Sequence, residues 1–476
     1  MAEKKENLAT DPIGKLMLKY AIPSVVALVV NALYNIVDQI FIGWGVGTLG
    51  NSATNVIFPL NMVVMALALL LGDGGAAFLS LSLGEGKKER GEKGANNTLS
   101  WLIIVGIVVF LVCALGLSSM VSFLGATPDN LSYALAYGRI VIIGFPFVVV
   151  GSGLCSLIRA DGTPQLTMIG MIAGCLANVI LDALFVLGFG WGMEGAAIAT
   201  VLGQLLNFAI SVWYIPRFKT VKITLKKMKP ELGMLKKIAS LGISSFVAQF
   251  AIAVIMAVIN YYLVYYGTRS EYGADIPLAA FGIVMKFNTI LVAIVTGIGT
   301  GAQPIIGYNY GMCNYRRVKE SFFWAIKTAS LVAVICFAVF QIFPNQLTAL
   351  FGNQGELYRE FSMMSFRIFT LLCFFNGFQI VSAIFFQSIG KPLRSGIISF
   401  SRQIIILIPA VIILCRIMGL KGLLWAGPTA DGLAFLLALA FVLAELKKIN
   451  QAEKEQLTEA NLTQSEESTF SRESKA

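Results

Sequence analysis

Two acids stand inside long apolar runs of this chain: Asp38 in NALYNIVDQIFIG (31–43) and Asp182 in CLANVILDALFV (175–186). A charged side chain at mid-membrane depth costs about 2.5–3.5 kcal/mol on insertion scales, so an acid placed there has either a function or a partner. Asn31, Asn35 and Asp38 fall at i, i+4 and i+7, which gives an otherwise oily helix one polar face. Asn178 lies one turn before Asp182 and shares its face. Two carboxylates, an amide carbonyl and a hydroxyl such as that of Thr200 supply oxygen ligands only. That set suits a small hard cation such as Na+. The same oxygens can equally hold a proton.

These residues need a membrane to be unusual in, and the composition supplies one. The chain has 476 residues, 57% hydrophobic and only 13% charged, against about 25% charged in ordinary soluble domains. Apolar runs of about 20 residues, long enough to cross a bilayer, recur from end to end. The expected fold is an all-α polytopic membrane protein of twelve helices, at roughly 16–42, 53–82, 97–119, 131–157, 165–188, 194–216, 239–265, 277–306, 320–343, 358–387, 394–416 and 422–446. The opening residues, MAEKKENLATDPIGK, are too polar for a secretory signal, so the first apolar segment is expected to stay as a membrane helix. The chain has no histidine, which excludes His-based metal sites and His proton relays. Its seven cysteines form no CxxC pair and read as small packing residues.

The net charge of +10 comes from basic residues in alternate loops. The N-terminus, GEGKKERGEKG (84–94) and the stretch 217–237 are rich in Lys and Arg, whereas GWGVGTLGNSATN (43–55) and GATPDN (125–130) have none. The loop with Arg416 and Lys421 runs against this alternation. The positive-inside rule then places both termini in the cytoplasm, in what is expected to be the inner membrane of a bacterium. The basic charge is explained by orientation in a lipid bilayer, and nucleic acid is not an expected partner. The expected division is a cytoplasmic N-terminus (1–15), an N-lobe (16–216), a basic linker (217–238), a C-lobe (239–446) and a polar, disordered tail (447–476).

The two lobes repeat. GEGKKER (84–90) parallels GMCNYRR (311–317) at an offset of 227, and YGRIVI (137–142) and RADGTPQLTMIG (159–170) parallel SFRIFT (365–370) and QSIGKPLRSGII (387–398) at 228. Six helices per half give parallel repeats about an axis along the membrane normal, an architecture in which substrate is handled between the halves. At 1.5 Å per helical residue, Asp38, Asp182 and Thr200 all fall in the outer half of the N-lobe, about 33 and 25 Å from the cytoplasmic ends and about 9 Å from the outer end of their respective spans.

The stretches AIPS (21–24), YNIVDQIFIG (34–43), LGEGKKER (83–90), RADGTPQ (159–165) and ANVILDALFV followed by GAAIATVLG resemble the multidrug and toxic compound extrusion (MATE) family through about residue 446, its DinF and MepA-like branches above all. The resemblance implies an N-lobe cation site at Asp38, Asn178, Asp182 and Thr200, with Tyr34 and Asn35 beside it and a helix-one bend at Pro23. It implies a secondary antiporter, and so no enzyme: an inward H+ or Na+ gradient drives export of amphipathic, often cationic compounds by alternating access. No cofactor beyond the coupling ion is expected, and the chain reads as a monomer. The acids that the NorM-like branch carries in helices seven and ten are missing, so coupling is expected to rest on the N-lobe.

Asp73, Asn376, Phe378 and Gln379 are candidates for the substrate cavity, together with Phe374, Phe375, Phe385 and Phe386. Lys286, Arg367 and Asp431 are expected to form a compensating cluster in the C-lobe, with Arg139 the repeat twin of Arg367. A flippase of lipid-linked precursors is the competing reading, and it calls for a cationic cavity where this N-lobe carries acids. No P-loop, HExxH or other catalytic constellation supports an ATP-driven pump or an intramembrane enzyme.

Overall fold

The computed structural model describes residues 8–124, 130–273, 275–349 and 355–473, and among these every regular element is helical. The N-lobe holds α1 (Ile13–Gly45), α2 (Thr48–Gly84), α3 (Lys88–Phe123), α4 (Leu131–Ala160), α5 (Pro164–Asp182) and α6 (Gly192–Trp213). The C-lobe holds α7 (Leu232–Gly267), α8 (Asp275–Gly311), α9 (Tyr315–Ile342), the short α10 (Pro344–Ala349), α11 (Glu356–Phe369), α12 (Phe375–Ser388), α13 (Pro392–Phe400), α14 (Ile408–Met418) and α15 (Leu420–Glu473). Pro164 and Pro392 open their helices at a first-turn position, where the missing N–H costs nothing. The Asn314 side chain accepts from Arg317 N at 3.4 Å and caps α9.

Eleven helices among the described residues are each long and apolar enough to cross a membrane. The twelfth crossing, expected as one helix at 358–387, is broken. α11 and α12 have 14 residues each, joined by a turn at 370–374. Tight bonds hold that turn, including Cys373 N to Thr370 O at 3.1 Å and Asn376 N to Cys373 O at 3.0 Å. Irregular backbone is tolerated at membrane depth because it is buried in protein: Thr370 and Cys373 are each 1% exposed. The expected disordered tail is also corrected. α15 runs on through the polar residues to Glu473. Glu, Lys, Gln, Ala and Leu dominate its first tail turns and favour helix. Lys319 of α9 bonds to Asn450 and Glu453 there.

The lobes contact each other in an exchanged, pseudo-symmetric manner: α1 packs on α8, and α2 on α7. Backbones approach closely at Gly74 and Gly242, where an added Cβ would lie 2.1 Å from Ile238 O and 1.8 Å from Leu70 O. This contact sits toward the end that carries the basic linker. α1 belongs to both lobes. Ile13, Leu16, Met17 and Tyr20 join the C-lobe core, although the sequence placed the helix wholly in the N-lobe, and Ile42 joins the N-lobe core. Pro23 lies inside the helix between these two anchorages, where a proline removes one helical hydrogen bond.

Candidate functional site

α1 carries Tyr34 and Asp38 against α5 and α6, which carry Asn178, Asp182 and Thr200. Asp38, Asn178, Asp182 and Thr200 are all buried, Asp182 completely. The Asp38 and Asp182 carboxyl groups are neighbours, close enough to act on each other electrostatically. Asn178 donates through Nδ2 to Thr200 Oγ1 at 3.5 Å. Tyr34 and Tyr137 stand in the same buried neighbourhood, close to Thr200 and the two acids. The sequence-derived set therefore comes together in one place. Asn35 lies on the same helix, and its side chain is outside the described residues.

The acceptors at this site outnumber the donors. Asp38 Oδ1, both Asp182 oxygens and Asn178 Oδ1 are buried without a hydrogen-bond partner. Among the described residues no lysine or arginine pairs with either acid. A buried, unpaired ion costs several kcal/mol. One bound cation or one shared proton would supply the missing positive partner. Directly after Asp182 the helix widens into a π turn, Ala183–Gly188, and Val186 of that turn packs against Gly45 at the end of α1. π turns of this kind often mark functional positions. Beside the acids a cavity of about 100 Å³ is lined by Asn31, Tyr34, Asn178, Thr200, Gln204 and Asn207 among others.

Sequence reasoning missed Tyr137. It stands on α4, is 5% exposed, and gives no polar pattern along its own helix. Its position at the head of the repeated segment YGRIVI was the one available signal.

The other candidates stand elsewhere. Asp73 is buried where the lobes meet, and its carboxylate accepts from Ser156 at 2.6 Å, Arg159 at 3.3 Å and Ser245 at 2.8 Å. Asn376 and Gln379 are buried inside the C-lobe, and Phe378 packs against Phe435 of α15 at 5.2 Å. Phe385 and Phe386 are core residues. The expected cluster of Lys286, Arg367 and Asp431 does not form. Arg367 is exposed, and Asp431 is paired instead with Arg402 at 2.8 Å.

Comparison with known proteins agrees with this architecture. The MatE family model matches residues 23–184 and 244–413, one match in each lobe. The multidrug export protein MepA of Staphylococcus aureus (strain MSSA476) is 27% identical over 436 residues, covering 90% of this chain and 94% of that protein. A multidrug resistance MATE family transporter of the MOP superfamily, solved in an outward-facing conformation, superposes with a TM-score of 0.86 at 23% identity, over 95% of this chain and 100% of that one. A MATE structure in complex with MaD3S gives a TM-score of 0.84 at 23% identity, over 94% of this chain and 98% of that one.

Proposed function

The chain belongs to the MatE family, and from that premise we propose that it is a cation-coupled antiporter exporting amphipathic, often cationic small molecules across a bacterial cytoplasmic membrane. The observation that carries this reading is the donor-poor pair of Asp38 and Asp182, whose unpartnered oxygens suit H+ or Na+ as the co-substrate. The name of the MepA relative supports drug-like substrates. The linker end faces the cytoplasm, in keeping with its basic charge.

Coupling follows from α1. Its outer half carries Asp38 and its other end is anchored in the C-lobe core. A cation entering from outside lets α1 and α5 draw together at the acids. The pull passes along α1, bending at Pro23, to the C-lobe. Transport requires that the two lobe arrangements hold the cation with different affinity. The cavity beside the acids lets water and ion approach without opening the lobe.

The test is dye transport in proteoliposomes under one gradient at a time: a pH step without Na+, then a Na+ step at constant pH. An ethidium-type cation is the reporter and Asp38→Asn the control. Transport driven by one step and lost in the variant is expected. Folded protein that moves no cationic dye under either gradient would overturn the antiport reading.

A further inference from the structure

The cavity beside the N-lobe acids has a counterpart in the C-lobe, and that counterpart contains a cation of its own, whereas Asn178, Asp182 and Thr200 themselves correspond to Ile406, Ala410 and Gly427. Backbone and packing fix the register of the repeat. Gly162 and Gly390, 228 residues apart, precede α5 and α13 with φ of 95° and 74°. Gly192 and Gly419, 227 apart, stand at the head of α6 and α15 with φ of 56° and 61°. Phe147 meets Phe208 at 5.2 Å in the N-lobe, and their equivalents Phe375 and Phe435 meet at 4.0 Å in the C-lobe.

In this register the cavity-lining residues Val148, Gly174 and Gln204 correspond to Asn376, Arg402 and Asp431. Where the N-lobe has a glycine and an open cavity, the C-lobe has a guanidinium. Arg402 Nε donates to Asp431 Oδ1 at 2.8 Å, and the two side chains are 15% and 4% exposed. Each lobe carries a π turn in this crossing, at different heights: Ala183–Gly188 after α5, and Ser401–Leu407, which contains Arg402 and matches 173–179 in the repeat, after α13. On α12, which packs against α15, Asn376 Nδ2 and Oδ1 and Gln379 Oε1 are buried without partners, at residues 1% and 3% exposed. Cys336 and Cys373 are the other titratable groups nearby.

We propose that Arg402 is a tethered cation that permanently fills the C-lobe equivalent of the cavity beside the N-lobe acids, so that Asp431, Asn376 and Gln379 form a latent site for Na+ or H+ that opens when the guanidinium is removed. Coupling is thereby confined to one lobe: a charge fixed to the chain cannot be exchanged with either solution, so the C-lobe does not respond to the ion gradient. The inference rests on the N-lobe being the exchangeable cation site.

The experiment measures thermal unfolding of the purified full chain in detergent, in NaCl against choline chloride at equal ionic strength, at neutral and mildly acidic pH. The background is Asp38→Asn/Asp182→Asn, which removes the N-lobe response. Retention of the wild-type response in that background refutes the N-lobe reading, and with it the premise. Adding Arg402→Ala is expected to create a new Na+ or proton response of about 3 °C or more in Tm. Asp431→Asn is expected to abolish it, and Arg402→Lys to create none. A folded Arg402→Ala variant with no ion response overturns the proposal, as does a response that survives Asp431→Asn. If Arg402→Ala folds only in Na+ or acid, the proposal stands. If neither ion restores it and only Asp431→Asn does, the site admits no cation and the proposal fails.

Discussion

Asp73 of α2 and Ser245 of α7 share a 2.8 Å hydrogen bond across the boundary between the lobes. Arg159 and Ser156 hold the same carboxylate from the N-lobe side, and Gln387 Nε2 donates to Ser245 Oγ at 3.3 Å from the C-lobe side. Gln387 is the repeat equivalent of Arg159, so matching positions of the two lobes serve one acid, Arg159 directly and Gln387 through Ser245.

That arrangement makes Asp73 a latch at the linker end. Asp73→Asn keeps the size and removes the charge that Arg159 and Ser245 engage. A hydrogen bond to a charged group contributes about 1.5–3 kcal/mol, so the population open at the linker end is expected to rise about tenfold or more. Spin labels at the exposed Glu89 and Arg316, one in each lobe, would report the inter-lobe distance. An unchanged distance distribution in the variant refutes the latch.

At the proposed cation site, Tyr137 and Thr200 stand close to the two acids and carry no charge themselves. Tyr137→Phe removes one hydroxyl from the neighbourhood of Thr200 and the acids. The half-saturating ion concentration is expected to rise about fivefold, with maximal transport retained, because losing one neutral polar contact costs about 1 kcal/mol. Asp38→Asn and Asp182→Asn should each abolish coupled transport, and the double variant should be no worse than either alone, since the two acids act as a unit. Additive losses would mean two independent sites.

How much of this was legible in the sequence follows from what each residue does locally. Asp38, Asn178 and Asp182 announce themselves, because helical spacing puts polar groups on one face of an apolar run. Thr200 was reachable by depth alone. Tyr137 was not, since an aromatic residue on an apolar helix carries no periodic signal. Arg402 escaped notice for a different reason. Its partner Asp431 was seen, but Lys286 and Arg367 were nearer the expected depth, and only packing of the π turn against α15 brings Arg402 to the acid. The break at 370–374 contains neither glycine nor proline, so a continuous helix was the natural reading. The extension of α15 past residue 446 followed from helix propensity that the polar composition masked.

Asp161, in the turn between α4 and α5, fastens the linker to the N-lobe. Its carboxylate accepts from Lys219 N at 2.8 Å, Thr220 N at 2.8 Å and Tyr214 Oη at 2.9 Å. Burial pushes its carboxyl above the ordinary 3.8, and the hydrogen bonds only partly offset this. The unfolded chain therefore loses this proton first. The contribution of Asp161 to stability falls as pH climbs from 3.8 to the raised value and is flat above it. Asp161→Asn should flatten that acid limb of the stability profile and expose the 217–230 segment to protease. An acid limb identical to wild type would show that another group controls it.

At the corresponding end of the C-lobe, Glu445 of α15 is 1% exposed and meets both Lys391 and Arg394. Two bases facing one buried acid are not equivalent to one pair. Removing the acid leaves two partly buried cations without a partner, whereas removing one base leaves the acid paired. Glu445→Gln is thus expected to cost about 3–5 kcal/mol, and Lys391→Met distinctly less, because Arg394 also lies over the Phe386 ring, 5.7 Å from its centroid, and stays in place. Unfolding temperatures of the two variants in the same detergent decide it. Equal losses would mean that the acid holds only one of its neighbours, and the C-lobe end would then depend on Lys391 rather than on Glu445.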